Sequence, residues 1–484
     1  MMIARKILMV VSVVLLGICF CFAEQAFPSL EPIAEWNEDF SEPEDIIKAG
    51  LVFSECSIES ESGHACLEQY RLLERTVTSK DFMSLPEKER AEKILSQMYS
   101  DVLIQYESGQ TRIDTMFEQG TYNCVSSSLL YMALCKAAKI SVKAQRTPLH
   151  LFCTVTVQGS RIDVETTNPL GFEPGVKKNV SKSGNSTRYA VIPKANYSGR
   201  HEVSDKMAVS LVARNLTSSY MKANNFERAV PLAVTRLVFL QDEKDTANDS
   251  RQDLDTACTN YVVYLQKKNL FFDALSWADA LVDRWGSSVS FQKTYDNAIY
   301  NCIVGFCNAD DYENAEECLE DRKNRVSAKQ KEELEEAIFL QKTNYRVKAI
   351  TNYDQAIAFL NQELGNPVAK RSQNVRKKLT ETIEYTWLKK IDSIAASGDY
   401  IKAAACADSA LAAFGESAKL RNAKRQNLYN HSVTVHNAFA KLANEKKYDE
   451  ALEEVDKGLE VNPSSDILKK DKRSVEAIIK KKSR

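Results

Sequence analysis

The sequence predicts an α+β domain in the first half of the chain, followed by an all-α array of stacked helical hairpins. Helical and alternating apolar patterns are mixed over residues 64–205, whereas residues 206–484 are helical throughout and repeat a short aromatic–alanine motif. The chain has 484 residues, of which 44% are hydrophobic and 27% are charged. This composition and length are typical of a folded protein with two or three domains.

The balance of charge argues against one class of partner. The 64 lysines and arginines nearly cancel the 66 aspartates and glutamates, which gives a formal net charge of -2. A chain with this balance lacks the broad basic surface that attracts polyanions. We therefore expect no nucleic acid partner.

The N-terminus has the pattern of a secretory signal. Arg5 and Lys6 precede the apolar run ILMVVSVVLLGICFCFA, which ends in a small residue that permits cleavage. Residues 1–23 are therefore predicted to be a signal peptide, and the protein is expected to be exported to the periplasm or cell envelope. Two alternatives also export the rest of the chain: an uncleaved membrane anchor, or lipidation at Cys19 or Cys21.

Ten cysteines remain after the predicted signal is removed. Disulfides can form in an exported chain, and Cys56 with Cys66 is the most plausible pair because the two flank a short loop. The sequence contains no C-x-x-C pair, and its five histidines are scattered. We therefore expect no metal site and no cofactor.

The first elements after the signal are an arm and a helix. Residues 24–63 are predicted to form an irregular acidic arm, since this segment contains several prolines and acidic residues. Further on, Ser84 stands three residues before Glu87 and ahead of an amphipathic run. This spacing predicts a capping box at the start of a helix.

A helix and a hairpin follow. Apolar residues at helical spacing predict a helix that begins at or just after Cys124. The stretch LHLFCTVTVQGSRIDVETT then alternates on both sides of a Gly-Ser turn, which predicts two antiparallel strands. His150 begins the first strand and shares its more polar face with Asp163 and Glu165 of the second strand. A tight turn places His150 opposite residues just beyond Glu165, with Asp163 further away.

The helical region contains six motifs in which an aromatic residue stands three positions before an alanine. Such a pair lies on one face of a helix, and the small alanine lets a neighbouring helix approach closely. In the last unit, KKYDEALEEVDKGLEVNP, the aromatic, the alanine and the proline are spaced as in tetratricopeptide repeats. Residues 206–484 therefore resemble a tetratricopeptide-like solenoid with lengthened helices, which implies a protein partner on the repeats. The six aromatics are Phe226, Phe271, Tyr312, Tyr353, Tyr400 and Tyr448.

Cys124 is the candidate nucleophile. The unpaired backbone amides at a helix start carry partial positive charge, which favours the thiolate form of a cysteine. The small side chains that follow, Val125 to Ser128, leave room for substrate and can supply a backbone amide to an oxyanion. A cysteine nucleophile also needs a base that a third group orients, and His150 beside a carboxylate meets this need.

The motifs YNC, TPLHLFCTVTV and IDVETTNP resemble, in this order, the transglutaminase-like superfamily. That family has a papain-like fold, in which a helix carrying cysteine packs on a sheet carrying histidine and an acid. The resemblance implies that residues 64–205 form such a domain. It implies that Cys124 is the nucleophile and that His150 is the general base and acid.

The chain departs from the family pattern at the third group. The usual Asp-Pro-Thr after the second strand is replaced by Glu-Thr-Thr, so Glu165 is the first choice for the orienting carboxylate. Asp163 is the second choice and Asn168 the third. Tyr122 and Asn123, just before the cysteine, either line an oxyanion hole or cap the helix.

The sequence thus predicts an exported cysteine-dependent acyl-transfer enzyme that cleaves or exchanges amide bonds in a peptide or protein. Its repeats would dock a protein partner or present the substrate. The alternative is a non-catalytic scaffold or peptide-binding protein of the cell envelope, in which the first domain is a relic and the repeats carry the function.

Overall fold

A computed structural model describes residues 27–33, 40–174, 197, 199–243 and 247–482. The chain divides into two compact units, Met1–Ala298 and Ile299–Arg484. Most of the described residues are helical, and the small sheets belong to the first unit. The predicted signal peptide lies outside the described residues. Within the described ranges, no helix is both long and apolar enough to cross a bilayer.

The first unit is built around one enclosed helix, α6. Every residue of α6 from Val125 to Cys135 is buried, as expected for a helix that is apolar on most of its circumference. Helices α1, α2 and α4 pack against it. The helices up to this point are α1 (Pro43–Phe53), α2 (Glu61–Val77), α3 (Lys80–Met83), α4 (Glu87–Asp101), α5 (Ile113–Gln119) and α6 (Cys124–Ala137).

An antiparallel sheet of four strands, in the order β5-β4-β3-β6, covers another side of α6. The predicted hairpin is present as β4 and β5, but its turn residues are Gln158 and Gly159, one position earlier than expected. Both have positive φ, 49° and 79°, as the common two-residue hairpin turn requires. A separate parallel pair joins β1 to β2. The strands are β1 (Gln105–Tyr106), β2 (Thr121–Tyr122), β3 (Ser141–Arg146), β4 (Leu151–Val157), β5 (Ser160–Val164) and β6 (His201–Val203).

Two sequence predictions near the N-terminus differ from the structure. Within the predicted irregular arm, 24–63, residues 43–53 form helix α1, because a buried apolar stripe that includes Ile46 and Leu51 packs into the core. The capping box does not form at Ser84. Its hydroxyl donates to the carbonyl of Asp81 in the preceding turn, and α4 begins after Pro86 without a side-chain cap.

The first compact unit extends beyond the predicted boundary at residue 205. Helix α7 (Asp205–Lys222) buries Met207, Val209 and Val212 in the same core as α6 and the sheet. Helices α8 (Phe226–Phe239), α9 (Ala247–Lys267) and α10 (Phe271–Trp285) continue this unit, which ends within α11 (Val289–Asn308). The change from mixed to purely helical pattern therefore marks a change of architecture and not a division between compact units.

The predicted disulfide between Cys56 and Cys66 is absent, since both side chains are free thiols. Each has other neighbours. Cys56 lies 3.8 Å from the hydroxyl of Ser60, and Cys66 lies 3.9 Å from the carbonyl of Asp114.

A short segment without regular secondary structure, residues 27–33, lies along helices of the first unit. The indole N–H of Trp277 donates to the carbonyl of Pro28, and that of Trp285 donates to Leu30, both at 3.2 Å. The N–H of Ile33 donates to the hydroxyl of Thr235 at 2.8 Å. This part of the predicted arm is therefore bound to the helices by backbone hydrogen bonds.

The second unit contains only helices among its described residues. Neighbours along the chain pack as hairpins, for example α16 with α17 and α18 with α19. Its helices are α12 (Tyr312–Asp321), α13 (Ala328–Ala349), α14 (Tyr353–Glu363), α15 (Pro367–Arg371), α16 (Gln373–Ala396), α17 (Tyr400–Phe414), α18 (Ala418–Asn444), α19 (Tyr448–Val461) and α20 (Asp466–Lys482).

The aromatic–alanine motif has the same structural position in every repeat. Each of the six aromatics is the first residue of a helix. The six alanines that follow them are all buried: Ala229, Ala274, Ala315, Ala356, Ala403 and Ala451. In five of the six units, the residue two positions before the aromatic has positive φ: Asn224, Asn269, Asp310, Gly398 and Lys446. A left-handed residue ends the preceding helix and reverses the chain, so the motif marks the start of each second helix.

The motif alanines should not tolerate larger side chains. In Ala403→Leu, three added carbons enter the contact between α17 and its neighbours, where Ala403 has no exposed surface. We expect the free energy of unfolding to fall by about 1–3 kcal/mol, as in other overpacked cores. The control is Ala405→Leu, since Ala405 is exposed on the same helix. Equal effects of the two substitutions on urea unfolding would contradict this packing role.

Candidate active site

Cys124 is the first residue of α6, and Asn123 is its N-cap. The side-chain oxygen of Asn123 accepts hydrogen bonds from the N–H groups of Val125 and Ser126, at 2.9 and 3.2 Å. The hydroxyl of Ser126 accepts from the N–H of Asn123 at 3.0 Å, which completes a capping box. The N–H of Cys124 itself donates to no described residue. One amide at the positive end of the helix is therefore unpaired beside the sulfur.

The entry to α6 depends on a glycine. Gly120 ends α5 with φ of 71°, and a Cβ there would lie 2.8 Å from the carbonyl oxygen of Val102. After this turn the chain enters β2, where Tyr122 pairs with Tyr106 of β1. The left-handed turn therefore aligns the segment before the cysteine with the loop that carries Tyr106.

His150 closes the turn between β3 and β4. The N–H of Thr147 donates to the carbonyl of His150 at 2.8 Å, and the Thr147 hydroxyl approaches the same oxygen at 3.3 Å. The imidazole stacks on Phe152, with ring centroids 6.1 Å apart. Only 5% of the surface of His150 is exposed. Turn and ring contacts together hold the imidazole in one orientation.

The imidazole is bonded to Glu165. The Nε2 of His150 lies 2.7 Å from Oε2 of Glu165, which also accepts from the hydroxyl of Tyr197. The other carboxylate oxygen, Oε1, accepts from the N–H and hydroxyl of Thr167 at 3.2 and 2.7 Å. Because Nε2 faces the carboxylate, Nδ1 is the ring nitrogen left for Cys124.

The two other candidates for the third group are bonded elsewhere. Asp163 accepts from the hydroxyl of Thr154 at 3.0 Å and forms an ion pair with Arg200. Asn168 accepts from the N–H of Leu170 at 2.9 Å. Strand register explains the difference, because Thr154 pairs with Asp163 and the ladder continued backwards brings His150 level with Thr167. Glu165 then reaches the histidine diagonally.

The pKa of His150 is raised by its neighbours in the site. Burial alone lowers the pKa of His150, but hydrogen bonds and charge interactions with Cys124 and Glu165 outweigh it and raise the pKa to about 10. Since the folded-state pKa lies above the ordinary value near 6.5, the interaction stabilises the fold fully below about pH 6.5. This contribution is lost as pH rises through about 10.

Cys124 and His150 line an open cleft of about 400 Å³. Four segments form its walls: the loop after β1, the start of α6, the turn from Arg146 to Leu151, and one face of α7. Cys124 is partly exposed to this cleft, whereas Cys135 and Cys153 are fully buried. Burial raises the pKa of both buried thiols. Among these three cysteines, only Cys124 is accessible to a substrate.

Tyr106 is a cleft residue that the sequence patterns did not indicate. Burial raises its pKa to about 12, and the charges of Cys124 and Glu165 add to the effect. Its hydroxyl therefore stays protonated near neutral pH and can donate a hydrogen bond within the cleft. A two-residue strand gives no periodic signal, so nothing in the local sequence marks this tyrosine.

The side chains of Tyr122 and Asn123 are bonded within the fold. Asn123 caps α6, which is one of the two roles predicted for it from the sequence. The Tyr122 side chain is fully buried, and its hydroxyl donates to the hydroxyl of Tyr99 at 3.1 Å.

Thr167 and Tyr197, which both donate to Glu165, are two further residues of the site that the sequence patterns did not indicate. Thr167 had a local signal, because a threonine two residues after an acid commonly donates to it.

No group of three or more potential metal ligands comes together among the described residues. The arrangement that is present consists of a thiol, an imidazole and a carboxylate in sequence, at the wall of a solvent-accessible cleft.

Comparison with known proteins adds little. No model of a known protein family matches the sequence, and no curated protein matches it. Among solved structures, the chain is similar to menin, in a crystal structure that reveals the binding site for the Mixed Lineage Leukemia (MLL) protein. The match covers 78% of this chain and 90% of that chain at 13% identity, with a TM-score of 0.31. At this TM-score the similarity carries no argument about function.

The assignment of Glu165 can be tested by titrating the ring of His150. In wild-type protein, we expect NMR of the imidazole to report protonation up to about pH 10. In Glu165→Gln the carboxylate charge is lost, so the pKa of His150 should fall by one to three units, roughly the effect of a close opposite charge. Asp163→Asn is the matched control and should leave the titration unchanged. A larger shift in the control would make Asp163 the partner.

Proposed function

We propose that this protein is a cysteine-dependent acyl-transfer enzyme with a papain- or transglutaminase-like arrangement of its reactive groups. One observation carries the proposal: a buried imidazole is bonded through Nε2 to Glu165 and lines the same cleft as the accessible thiol of Cys124. A nucleophile, a base and an orienting acid in this order are the parts that thiol-based acyl transfer needs.

Since the pKa of His150 is raised to about 10, the ring is an imidazolium near neutral pH, and the reaction begins with the proton of Cys124 already on Nδ1. The resulting thiolate attacks the carbonyl carbon of an amide, and the negative charge moves to the carbonyl oxygen. The unpaired N–H of Cys124 is a donor for this oxyanion, and the hydroxyl of Tyr106 is available as a second. Glu165 stabilises the imidazolium through Nε2 throughout this step.

Collapse of the tetrahedral intermediate breaks the carbon–nitrogen bond. The imidazolium gives its Nδ1 proton to the leaving amine, and a thioester remains on Cys124. Water or a second amine then attacks the thioester carbonyl while Nδ1 takes its proton, and the thiol returns as the leaving group. Hydrolysis and transfer differ only in which nucleophile enters the cleft at this stage.

The helical repeats support a second part of the proposal. Within the second unit, successive helical hairpins pack against one another, and arrays of this kind commonly present extended surfaces to proteins. We assign the repeats to binding of a protein partner or of the substrate. We assign this activity to the periplasm or cell envelope, and the apolar N-terminal run after Arg5 and Lys6 supports that assignment.

Labelling with iodoacetamide tests the reactive thiol. We expect Cys124 to be alkylated at pH 7 much faster than the buried Cys135, because the imidazolium and the helix start stabilise the thiolate. Intact-mass measurement across pH gives this rate, and Cys124→Ser provides the background from the other cysteines. In His150→Ala, the rate at pH 7 should fall on the order of 100-fold, since the base and its charge are both removed.

A different result supports the non-catalytic scaffold. If Cys124 is modified as slowly as the buried Cys135, or if His150→Ala leaves the pH profile unchanged, the thiol is not activated. Circular dichroism of His150→Ala shows whether the variant is folded. The control variant His201→Ala, which removes an exposed histidine that does not line the cleft, should keep the full rate.

A further inference from the structure

One face of helix α7 forms a long wall of the cleft. The residues of α7 that line it recur at three- and four-residue spacing, which is the spacing of a single helical face. This face runs from Leu211 to Lys222, about 16 Å at 1.5 Å per residue. An extended peptide of four or five residues has about this length. The lining residues are Leu211, Arg214, Asn215, Ser218, Ser219 and Lys222.

The charged side chains that line the cleft all have the same sign. Arg146, Arg214 and Lys222 line it, and no aspartate or glutamate is among its described lining residues. Lys222 is exposed and has no carboxylate partner in the described part of the chain. Arg214 donates no hydrogen bond to a described residue, and its Nε lies 3.5 Å from Asp253. Two cations therefore face the cleft with most of their donors unused.

The acids behind this wall do not neutralise it. Asp249 is held by Arg146 at 3.0 Å and by Arg236 at 2.6 Å. Asp253 forms its shorter ion pair with Arg236, at 2.5 Å, and its longer one with Arg214, at 3.5 Å. Three arginines thus share two aspartates, which leaves one positive charge, and Lys222 adds another. Arg236 has no exposed surface, so this network is a rigid support for the cleft wall.

We propose that the substrate is a peptide with acidic side chains, which Arg214 and Lys222 bind beside the thiol. This inference rests on the proposed acyl-transfer function and specifies its substrate class. The hydroxyls of Ser218 and Ser219 supply neutral hydrogen bonds along the same helix face. A peptide fits these features better than nucleic acid does, because the cations are few and line one short cleft of a chain with net charge -2.

Binding can be measured without the chemical step. In a Cys124→Ala background, calorimetry compares the peptide acetyl-Gly-Glu-Gly-Glu-Gly-amide with the analogue in which glutamine replaces each glutamate. At about 50 mM salt we expect the glutamate peptide to bind at least tenfold more tightly, since screening is weak there. The double variant Arg214→Gln/Lys222→Gln should lose this preference. Equal affinity for the two peptides would overturn the proposal.

A matched control removes the same types of charge elsewhere. Arg75→Gln/Lys143→Gln alters two exposed cations of the same unit that do not line the cleft. This variant should keep the tenfold preference. If this control loses as much affinity for the glutamate peptide as Arg214→Gln/Lys222→Gln does, the preference comes from overall charge, and the proposal is wrong.

A second readout separates this inference from the proposed function. Iodoacetate and iodoacetamide alkylate the same thiol, and only the first is anionic. In Arg214→Gln/Lys222→Gln, the iodoacetate rate at Cys124 should fall about tenfold relative to the iodoacetamide rate. A slow iodoacetamide reaction in wild-type protein would contradict the acyl-transfer function. A fast reaction with an unchanged ratio in the double variant would contradict only the anionic substrate.

Discussion

The hydrogen bond between His150 and Glu165 is the interaction on which the candidate site depends. Both side chains are almost fully buried, and removing a charge from water costs several kcal/mol unless its polar atoms are bonded. Here both carboxylate oxygens are bonded, one by His150 and Tyr197 and the other by Thr167. The cost of burial is therefore offset only when the β3–β4 turn and the segment after β5 have their observed positions.

The same segment is attached to the cysteine helix. The hydroxyl of Thr166 lies 3.0 Å from that of Ser127 and 2.9 Å from that of Ser128, and its carbonyl accepts from Tyr99 at 2.9 Å. Glu165 thus faces the histidine while its neighbour faces α6. Thr166 thus joins the segment after β5 to α6, and this holds the bonded histidine and the cysteine at one cleft. The serines that follow Cys124 serve this connection, in addition to keeping the first turn of α6 small.

Much of this architecture was predictable from local patterns, because periodicity and turn chemistry act over a few residues. The start of α6 at Cys124, the hairpin, the preference for Glu165 and the helical hairpins that carry the six aromatic–alanine motifs follow from such signals. The extent of the first compact unit as far as Ala298 could not be predicted in this way. Whether α7 joins the preceding core or the following repeats depends on contacts over long sequence distances, which periodicity does not contain.

The cleft residues illustrate the same limit. Tyr106 precedes Cys124 by 18 positions, and Arg214 follows it by 90. Neither belongs to a motif with the cysteine, and only the packing of α7 and the β1–β2 pair brings them to one cleft. A pattern can indicate a nucleophile and its base, since their chemistry restricts residue type. It cannot indicate the other residues of the cleft wall, since many polar residues can occupy such a wall.

The contrast among the cysteines shows how the fold decides which thiol can react. Cys135 lies on the same helix as Cys124, three turns further along, and Cys153 lies on the strand that packs against it. In both buried positions, desolvation raises the thiol pKa and no imidazole compensates. Cys124 differs because the helix start meets the cleft, so this cysteine is partly exposed and lines the same cleft as His150. Its position at the end of an otherwise enclosed helix is what makes this one thiol a candidate for chemistry.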